Sequence, residues 1–219
     1  AEQDEHHSLL KRAIQHALAT AKYCVFYGEG RDQYDEWGRT AHEGVFNTNN
    51  GVYRCPNSQQ GFSGFTTWTR GLSWAMLGFA EQLEFLESID GSDLEDFGGI
   101  EKVKSIFLKA AKATCDFYID NSSLDGITYW DTGGPQMHKL GEYQARIAEP
   151  DNLYEPVDSS ASAIGAQGLL RLGRYLNEKG DANGDKYFQA GLTICNTLLE
   201  DTYLSTNDNH QGLLLHSIY

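Results

Sequence analysis

The sequence has few basic residues for its size and lacks any long hydrophobic run. It carries 17 Lys and Arg against 31 Asp and Glu in 219 residues, which gives a formal net charge of −14. Nucleic acid and anionic membrane surfaces repel so acidic a chain, and both are excluded as expected partners. With 40% hydrophobic residues and no long apolar stretch, the chain is expected to be globular and without a membrane span.

Cysteine is also scarce, and the four residues are widely spaced: Cys24, Cys55, Cys115 and Cys195. The absence of any C-x-x-C motif excludes a zinc ribbon and argues against a dense disulfide framework. Three of them follow an alanine by five residues in similar helical segments, so we expect unpaired thiols, with Cys24, Cys115 and Cys195 buried between helices. No histidine spacing suits a metal, and neither a metal nor a cofactor is expected.

The N-terminal segment Ala1–His7 has neither the basic nor the apolar region of a signal peptide, so none is expected within this chain. The compartment stays open.

Helical periodicity is present in five segments. They are Ser8–Tyr27, Thr66–Ser88, Ile100–Asn121, Ser159–Glu178 and Asp185–Asp201. Thr66 or Thr67 is expected to cap the second helix, and Asp158 or Ser159 the fourth. The second and third helices then form one hairpin and the fourth and fifth another, which predicts a stack or ring of related helical units. Only 51–54 suggests a short extended piece.

Two connections, residues 28–65 and 122–157, are longer than compact helix pairs need. Both are rich in aromatic residues, which argues against disorder. Each precedes the N-terminus of a helix, so the two are expected to meet at one end of the stack. We therefore predict a functional site there.

The most informative segment is Gln60-Gly-Phe-Ser-Gly-Phe-Thr-Thr-Trp-Thr-Arg-Gly-Leu-Ser-Trp74. Indole faces stack on the C–H faces of sugar rings, and a guanidinium binds a carboxylate through two parallel hydrogen bonds. Because a helix N-terminus also favours anions, Trp68, Arg70 and Trp74 predict a pocket for an acidic sugar. The alternative is that both tryptophans belong to the core and that Arg70 lies on the surface.

These residues resemble a known family. Trp68-Thr-Arg-Gly-Leu-Ser-Trp74 is similar to a signature of the unsaturated glucuronyl hydrolases, family 88 of the glycoside hydrolases. Asp158-Ser-Ser-Ala-Ser-Ala-Ile164, followed by Gly168-Leu-Leu-Arg-Leu172, resembles a second signature. The resemblance covers essentially the whole chain. It implies an all-α fold, an (α/α) six-hairpin toroid, with residues 1–219 forming roughly the second half of a single catalytic domain.

The resemblance implies a glycosidase that acts on oligosaccharides whose non-reducing end is a 4,5-unsaturated uronic acid, the product of polysaccharide lyases. In this family an aspartic acid protonates the double bond and activates water, and the hydrated sugar then rearranges and releases its neighbour. This chemistry differs from the two-carboxylate geometry of ordinary glycosidases. The expected partner is an acidic oligosaccharide.

Site residues follow from matching positions. His42 and Gln60 are expected to orient the water, since an imidazole and a carboxamide both donate and accept hydrogen bonds. The residues expected to contact the sugar are Trp68, Arg70, Trp74, Trp130, Asp131 and Tyr219. The alternative for His42 is an ordinary loop histidine.

The sequence also departs from the family. Gln59 stands where the family has histidine, and Leu72 where it has glutamine, so substrate preference is left open. The two key aspartates of the family match no position here, and the catalytic proton donor is expected to lie outside this chain. Otherwise the acid would have to be Asp131, Asp35 or Asp158, of which Asp158 is expected to be a helix cap and Asp35 to belong to a solvated loop pair. Two rival functions stay open: an unsaturated rhamnogalacturonyl hydrolase, and a non-catalytic toroid that binds oligosaccharide.

Overall fold

The computed structural model describes residues 8–218, and the all-α prediction is confirmed. Five α-helices follow one another along the chain: α1 Leu9–Tyr23, α2 Thr69–Leu86, α3 Ile100–Asp120, α4 Ser159–Glu178 and α5 Gly184–Leu198. Short 3₁₀ segments occupy parts of the connections. Among the described helices, none combines the length and the apolar content that crossing a bilayer requires.

Local chemistry accounts for two of the helix starts. The Ser8 side chain accepts a hydrogen bond from the Lys11 backbone N–H at the start of α1. At α4 the cap is Asp158, as predicted, and its Oδ1 accepts from the backbone N–H groups of Ser160 and Ala161 at 3.2 Å each. These bonds satisfy N–H groups that have no partner inside their own helix.

The predicted cap of α2 was wrong. The N-cap is Trp68, whose side chain makes no capping hydrogen bond. Thr67 ties two loops together instead, since its hydroxyl donates to the carbonyl of Thr40 and accepts from the Thr40 N–H. The Thr66 hydroxyl likewise does not cap α2, because it donates to the carbonyl of Ser63.

The helices pack in the predicted pairs, α2 with α3 and α4 with α5, and α2 also packs along α4. Gly168 lets α4 approach α2 closely. A Cβ added there would lie 2.8 Å from the Leu77 nitrogen and 2.9 Å from the Met76 carbonyl carbon. Leu72, Met76 and Leu169 are almost completely buried at this contact and belong to the main core.

The two long connections meet at one end of the helices, as expected. Trp68 forms an isolated antiparallel bridge with Asp131, and Tyr129 forms another with Val157. The first connection also contains an antiparallel hairpin, β1 Glu43–Phe46 and β2 Tyr53–Asn57, with an irregularity in its register between Val45 and Phe46. The extended piece expected at 51–54 therefore overlaps the start of β2 in this longer hairpin.

The cysteines are unpaired, but only one of the three helical thiols is fully buried. Cys115 lies in the core, and burial raises the pKa of its thiol. Cys24 and Cys195 are half-buried, contrary to expectation. Cys24 is the C-cap residue of α1, and Cys195 lies on α5, whose main packing is against α4 alone.

Gly168→Ala tests the close contact of α2 with α4. The added methyl group would overlap backbone atoms that cannot rotate away, so we expect the free energy of unfolding to fall by about 1–3 kcal/mol. The control is Gly78→Ala on α2, where nothing lies within 4 Å of the added Cβ and a gain of roughly 0.5–1 kcal/mol is expected. Denaturant unfolding measures both. Equal effects of the two changes would contradict the packing.

Candidate functional site

The N-terminal ends of α2 and α4 are joined by an ion pair. Nε and Nη2 of Arg70, in the first turn of α2, donate to Oδ2 of Asp158 at 3.0 and 2.9 Å. The Asp158 side chain is fully buried and that of Arg70 is 20% exposed. Nη2 also donates to the carbonyl of Ile218, whereas the hydrogen bonds of Arg70 to residues 8–218 involve only Nε and Nη2 and not Nη1. One end of the guanidinium is thus fixed by Asp158 and by the backbone of Ile218.

Asp158 therefore has two tasks. Its Oδ1 caps α4 while its Oδ2 holds Arg70, so one carboxylate sets both a helix start and the direction of a cation. An aspartate of this kind is a structural anchor rather than a free acid.

Asp131 is placed behind the site rather than in its wall. It is completely buried, its Oδ2 accepts from the Phe62 N–H at 2.8 Å and its Oδ1 accepts from the Gly133 N–H at 2.9 Å. Its carboxylate therefore holds the turn that carries Gln60. A Cβ at Gly61 would lie 2.8 Å from the carboxylate and 2.7 Å from Trp68, which explains the glycine after Gln60.

His42 is held against the same turn. Its Nδ1 accepts from the backbone N–H groups of Gln59 and Gln60 at 3.2 and 3.3 Å, and its ring lies 4.7 Å from that of Trp68. An Nδ1 that accepts carries no proton, so in the neutral ring the proton is assigned to Nε2. His42 can thus donate through Nε2.

Two cavities share Gln60 and Trp68. The first, of about 630 Å³, runs between α1, the β-hairpin and α2, and its wall includes His16, Tyr23, His42, Gln60, Trp68 and Trp74. The second, of about 530 Å³, is lined by Gln59, Gln60, Trp68, Arg70, Trp130, Glu155, Pro156 and Ile218. Trp74 is 54% exposed and Trp68 is half-buried, so neither tryptophan is a core residue.

Most of the predicted site residues are therefore brought together. His42, Gln60, Trp68 and Trp74 line the first cavity, and Arg70 and Trp130 join Gln60 and Trp68 in the second. Asp131 supports the wall without lining either cavity. Tyr219 lies outside the described residues.

Glu155 is a residue that sequence reasoning missed. It is 4% exposed, lines the second cavity, and accepts a hydrogen bond from Nε1 of Trp130 at 2.6 Å. A signal was present, because a glutamate three residues before the Asp158 cap must lie near the start of α4. Nothing in the pattern, however, predicted that it would be buried and line the same cavity as Arg70.

The third of the acids considered, Asp35, is also engaged. Both its oxygens accept from Arg39, at 2.6 Å each, and the two side chains are 8% and 5% exposed. The expectation that Asp35 lies in a solvated pair with Glu36 was thus wrong for Asp35, whereas Glu36 is exposed. Within residues 8–218 no three His, Cys, Asp or Glu side chains are grouped so that they could hold a metal ion.

Comparison with known proteins bears on the family resemblance and on the fold. No family model matches the chain. Over 208 residues, 94% of its length, the chain is 27% identical to an unsaturated glucuronyl hydrolase of Formosa agariphila and 28% identical to one of Bacillus sp. strain GL1. The chain is similar to the unsaturated glucuronyl hydrolases. It spans 40% and 44% of the length of these two relatives.

Solved structures with a similar fold are also unsaturated glucuronyl hydrolases. The crystal structure of the Bacillus sp. GL1 unsaturated glucuronyl hydrolase matches with a TM-score of 0.64 and 27% identity, over 93% of this chain and 43% of that one. A structure of an unsaturated glucuronyl hydrolase specific for heparin gives the same TM-score at 22% identity, which speaks for the fold alone. The resemblance and the (α/α) toroid fold, of which this chain is a part, are thereby confirmed.

A double-mutant cycle measures the strength of the Arg70–Asp158 pair. Arg70→Gln and Asp158→Asn, singly and combined, are expected to give a coupling energy of about 1.5–3 kcal/mol in denaturant unfolding, because the pair is shielded and charge-assisted. The exposed pair Arg146–Glu149 is the control, and its coupling should be about 0.5 kcal/mol or less. A coupling at Arg70–Asp158 as small as the control's would contradict the anchoring role.

Proposed function

We propose that this chain forms the sugar-binding part of a glycosidase that hydrates a 4,5-unsaturated uronic acid at the non-reducing end of an oligosaccharide. The observation that carries the proposal is the guanidinium of Arg70, which Asp158 fixes in the wall of a cavity lined by two indoles and by Gln60, and whose Nη1 bonds to no residue between 8 and 218. His42 lines the neighbouring cavity, which shares Gln60 and Trp68. The similarity to unsaturated glucuronyl hydrolases supports the same reaction class.

Arg70 is proposed to bind the carboxylate of the unsaturated sugar. Its Nε and Nη2 are committed to Asp158, so the ligand contacts the Nη1 end. The two-bond contact expected from the sequence would require Nη2 to leave the carbonyl of Ile218. Trp68 lies beside the guanidinium, 5.8 Å from its central carbon, and offers a face for the sugar ring.

His42 and Gln60 are proposed to hold the attacking water. Nε2 of His42 supplies the donor, and the exposed carboxamide of Gln60 supplies both a donor and an acceptor. Because the chain carries a net charge of −14, long-range attraction does not bring an anion to this site. The local donors have to outweigh the overall repulsion.

The proton donor is proposed to come from outside this chain. Each of Asp35, Asp131 and Asp158 already accepts charged or backbone donors on both oxygens. An acid fixed in this way is poorly placed to deliver a proton to a ligand. We propose that residues 1–219 belong to a single toroid domain that supplies the acid elsewhere.

This engagement of all three acids also favours a second candidate for the chain by itself, a module that binds the oligosaccharide without turnover. A single measurement, turnover of unsaturated uronyl disaccharides, distinguishes the two candidates. An unsaturated rhamnogalacturonyl hydrolase, the other enzyme considered, is disfavoured by the Trp68–Trp74 signature and by the comparisons.

The test follows the loss of ultraviolet absorbance of the conjugated double bond in unsaturated uronyl disaccharides. The complete gene product should turn them over, whereas the 219-residue chain should not, since loss of a general acid costs roughly a hundred- to ten-thousandfold. In the complete protein, Arg70→Lys should lower kcat/KM by roughly ten- to a hundredfold, because an ammonium does not replace the fixed guanidinium.

One control variant accompanies Arg70→Lys. Lys109→Arg makes the reverse exchange, from lysine to arginine, at an exposed ion pair and should leave turnover unchanged. Wild-type turnover by Arg70→Lys would remove Arg70 from the site, and comparable rates for the short chain and the complete protein would place the acid within residues 1–219.

A further inference from the structure

Glu155 introduces a negative charge into the cavity that holds Arg70. Its side chain is almost fully buried, yet it forms part of the lining of the second cavity together with Trp130 and Arg70. Nothing in the proposed reaction uses it. A carboxylate facing the place where an acidic ligand is expected needs its own explanation.

The position of Glu155 is fixed from three sides. Trp130 Nε1 donates to Oε2, and the Gln136 backbone N–H donates to Oε1. The backbone of Glu155 is bound to Asn152, whose Oδ1 accepts the Glu155 N–H at 2.9 Å and whose Nδ2 donates to the Glu155 carbonyl at 2.7 Å. Each carboxylate oxygen keeps capacity for one more hydrogen bond.

Charges around the cavity do not balance. Arg70 is paired with Asp158, whereas Glu155 forms no ion pair with any residue in the described part of the chain. Its donors are a neutral indole and a neutral amide, so neither of them neutralises a carboxylate at the wall. A second anionic group placed there would meet like charge in a shielded site, which is strongly unfavourable.

We propose that Glu155 determines ligand specificity. Its carboxylate accepts a hydrogen bond from a hydroxyl group of the bound saccharide and repels a sulfate or a second carboxylate at that position. The ligand class is thus an oligosaccharide with the uronate at Arg70 and an uncharged sugar face at Trp130 and Glu155. This rests on the proposed function for the location of the uronate. It predicts a preference between ligands rather than a further step of the reaction.

A purely structural role for Glu155 makes a different prediction. If the carboxylate only held Trp130 and the 134–136 turn, its loss would weaken all saccharides alike. A role in specificity instead changes the ratio between charged and uncharged ligands. The ratio is therefore the quantity to measure.

The experiment titrates the complete gene product with one unsulfated unsaturated uronyl disaccharide and with its mono-sulfated isomers, following tryptophan fluorescence. The wild type should bind the unsulfated form at least about tenfold more tightly than one of the isomers. Glu155→Gln should reduce that ratio by roughly tenfold. Glu142→Gln removes an equal charge at an exposed position outside the cavity and should leave the ratio unchanged.

A second variant and a salt series test whether the charge of Glu155, rather than a loss of folding, sets the ratio. Glu155→Asp keeps the charge while shortening the side chain, so it should keep the ratio even where overall affinity falls. In the wild type, raising ionic strength from about 0.05 to 0.5 M should narrow the ratio, since salt screens like-charge repulsion.

The outcomes separate the two proposals. A ratio near one for every isomer in the wild type, or equal ratios in the wild type and Glu155→Gln, overturns the role of Glu155 even when turnover is normal. Binding with the expected ratio but without turnover overturns the hydrolase and retains the role of Glu155. Failure of every disaccharide to bind overturns both.

Discussion

The buried ion pair of Arg70 with Asp158 is the interaction on which the rest of the site depends. It joins the first turn of α2 to the cap of α4, and the close helix contact at Gly168 keeps the two ends in register. Removing either partner would leave the other charge unpaired in a site that is shielded from solvent. The same pair fixes the guanidinium in the wall of the second cavity, so in the proposed function both the fold and the recognition of the ligand depend on this one contact.

Three buried carboxylates, one of them the Asp158 of this pair, have different structural roles. Asp158 holds the cation, Asp131 holds the loop turn before α2, and Glu155 holds Trp130 while facing the cavity. All three lie among aromatic side chains at the end where the long connections meet. The site is thus built from acids that are satisfied by the protein, and a ligand acid must be held by the few donors that remain.

Sequence reasoning predicted the helices well, because an apolar face repeats with helical period in each of them. It also predicted that Asp158 caps α4. It failed at Thr67, whose hydroxyl makes a long-range bond to Thr40 rather than capping α2. It also failed at Asp35, where the partner Arg39 is only four residues away but the burial of the pair depends on how the first connection folds. Glu155 was missed for the same reason, since its exposure depends on how the 122–157 connection folds over α2. The resemblance supplied His42 and Gln60, which no periodicity indicates.

The most direct test is a crystal structure of the complete protein with an unsaturated uronyl disaccharide, trapped by a variant that binds without turnover. The account predicts that a carboxylate oxygen of the uronate lies within hydrogen-bond distance of Arg70 Nη1, about 2.7–3.0 Å, while Nε and Nη2 still contact Asp158. The C4–C5 bond should then lie beside His42 and Gln60. A uronate bound away from Arg70, or an Arg70 that abandons Asp158 to reach it, would contradict the account.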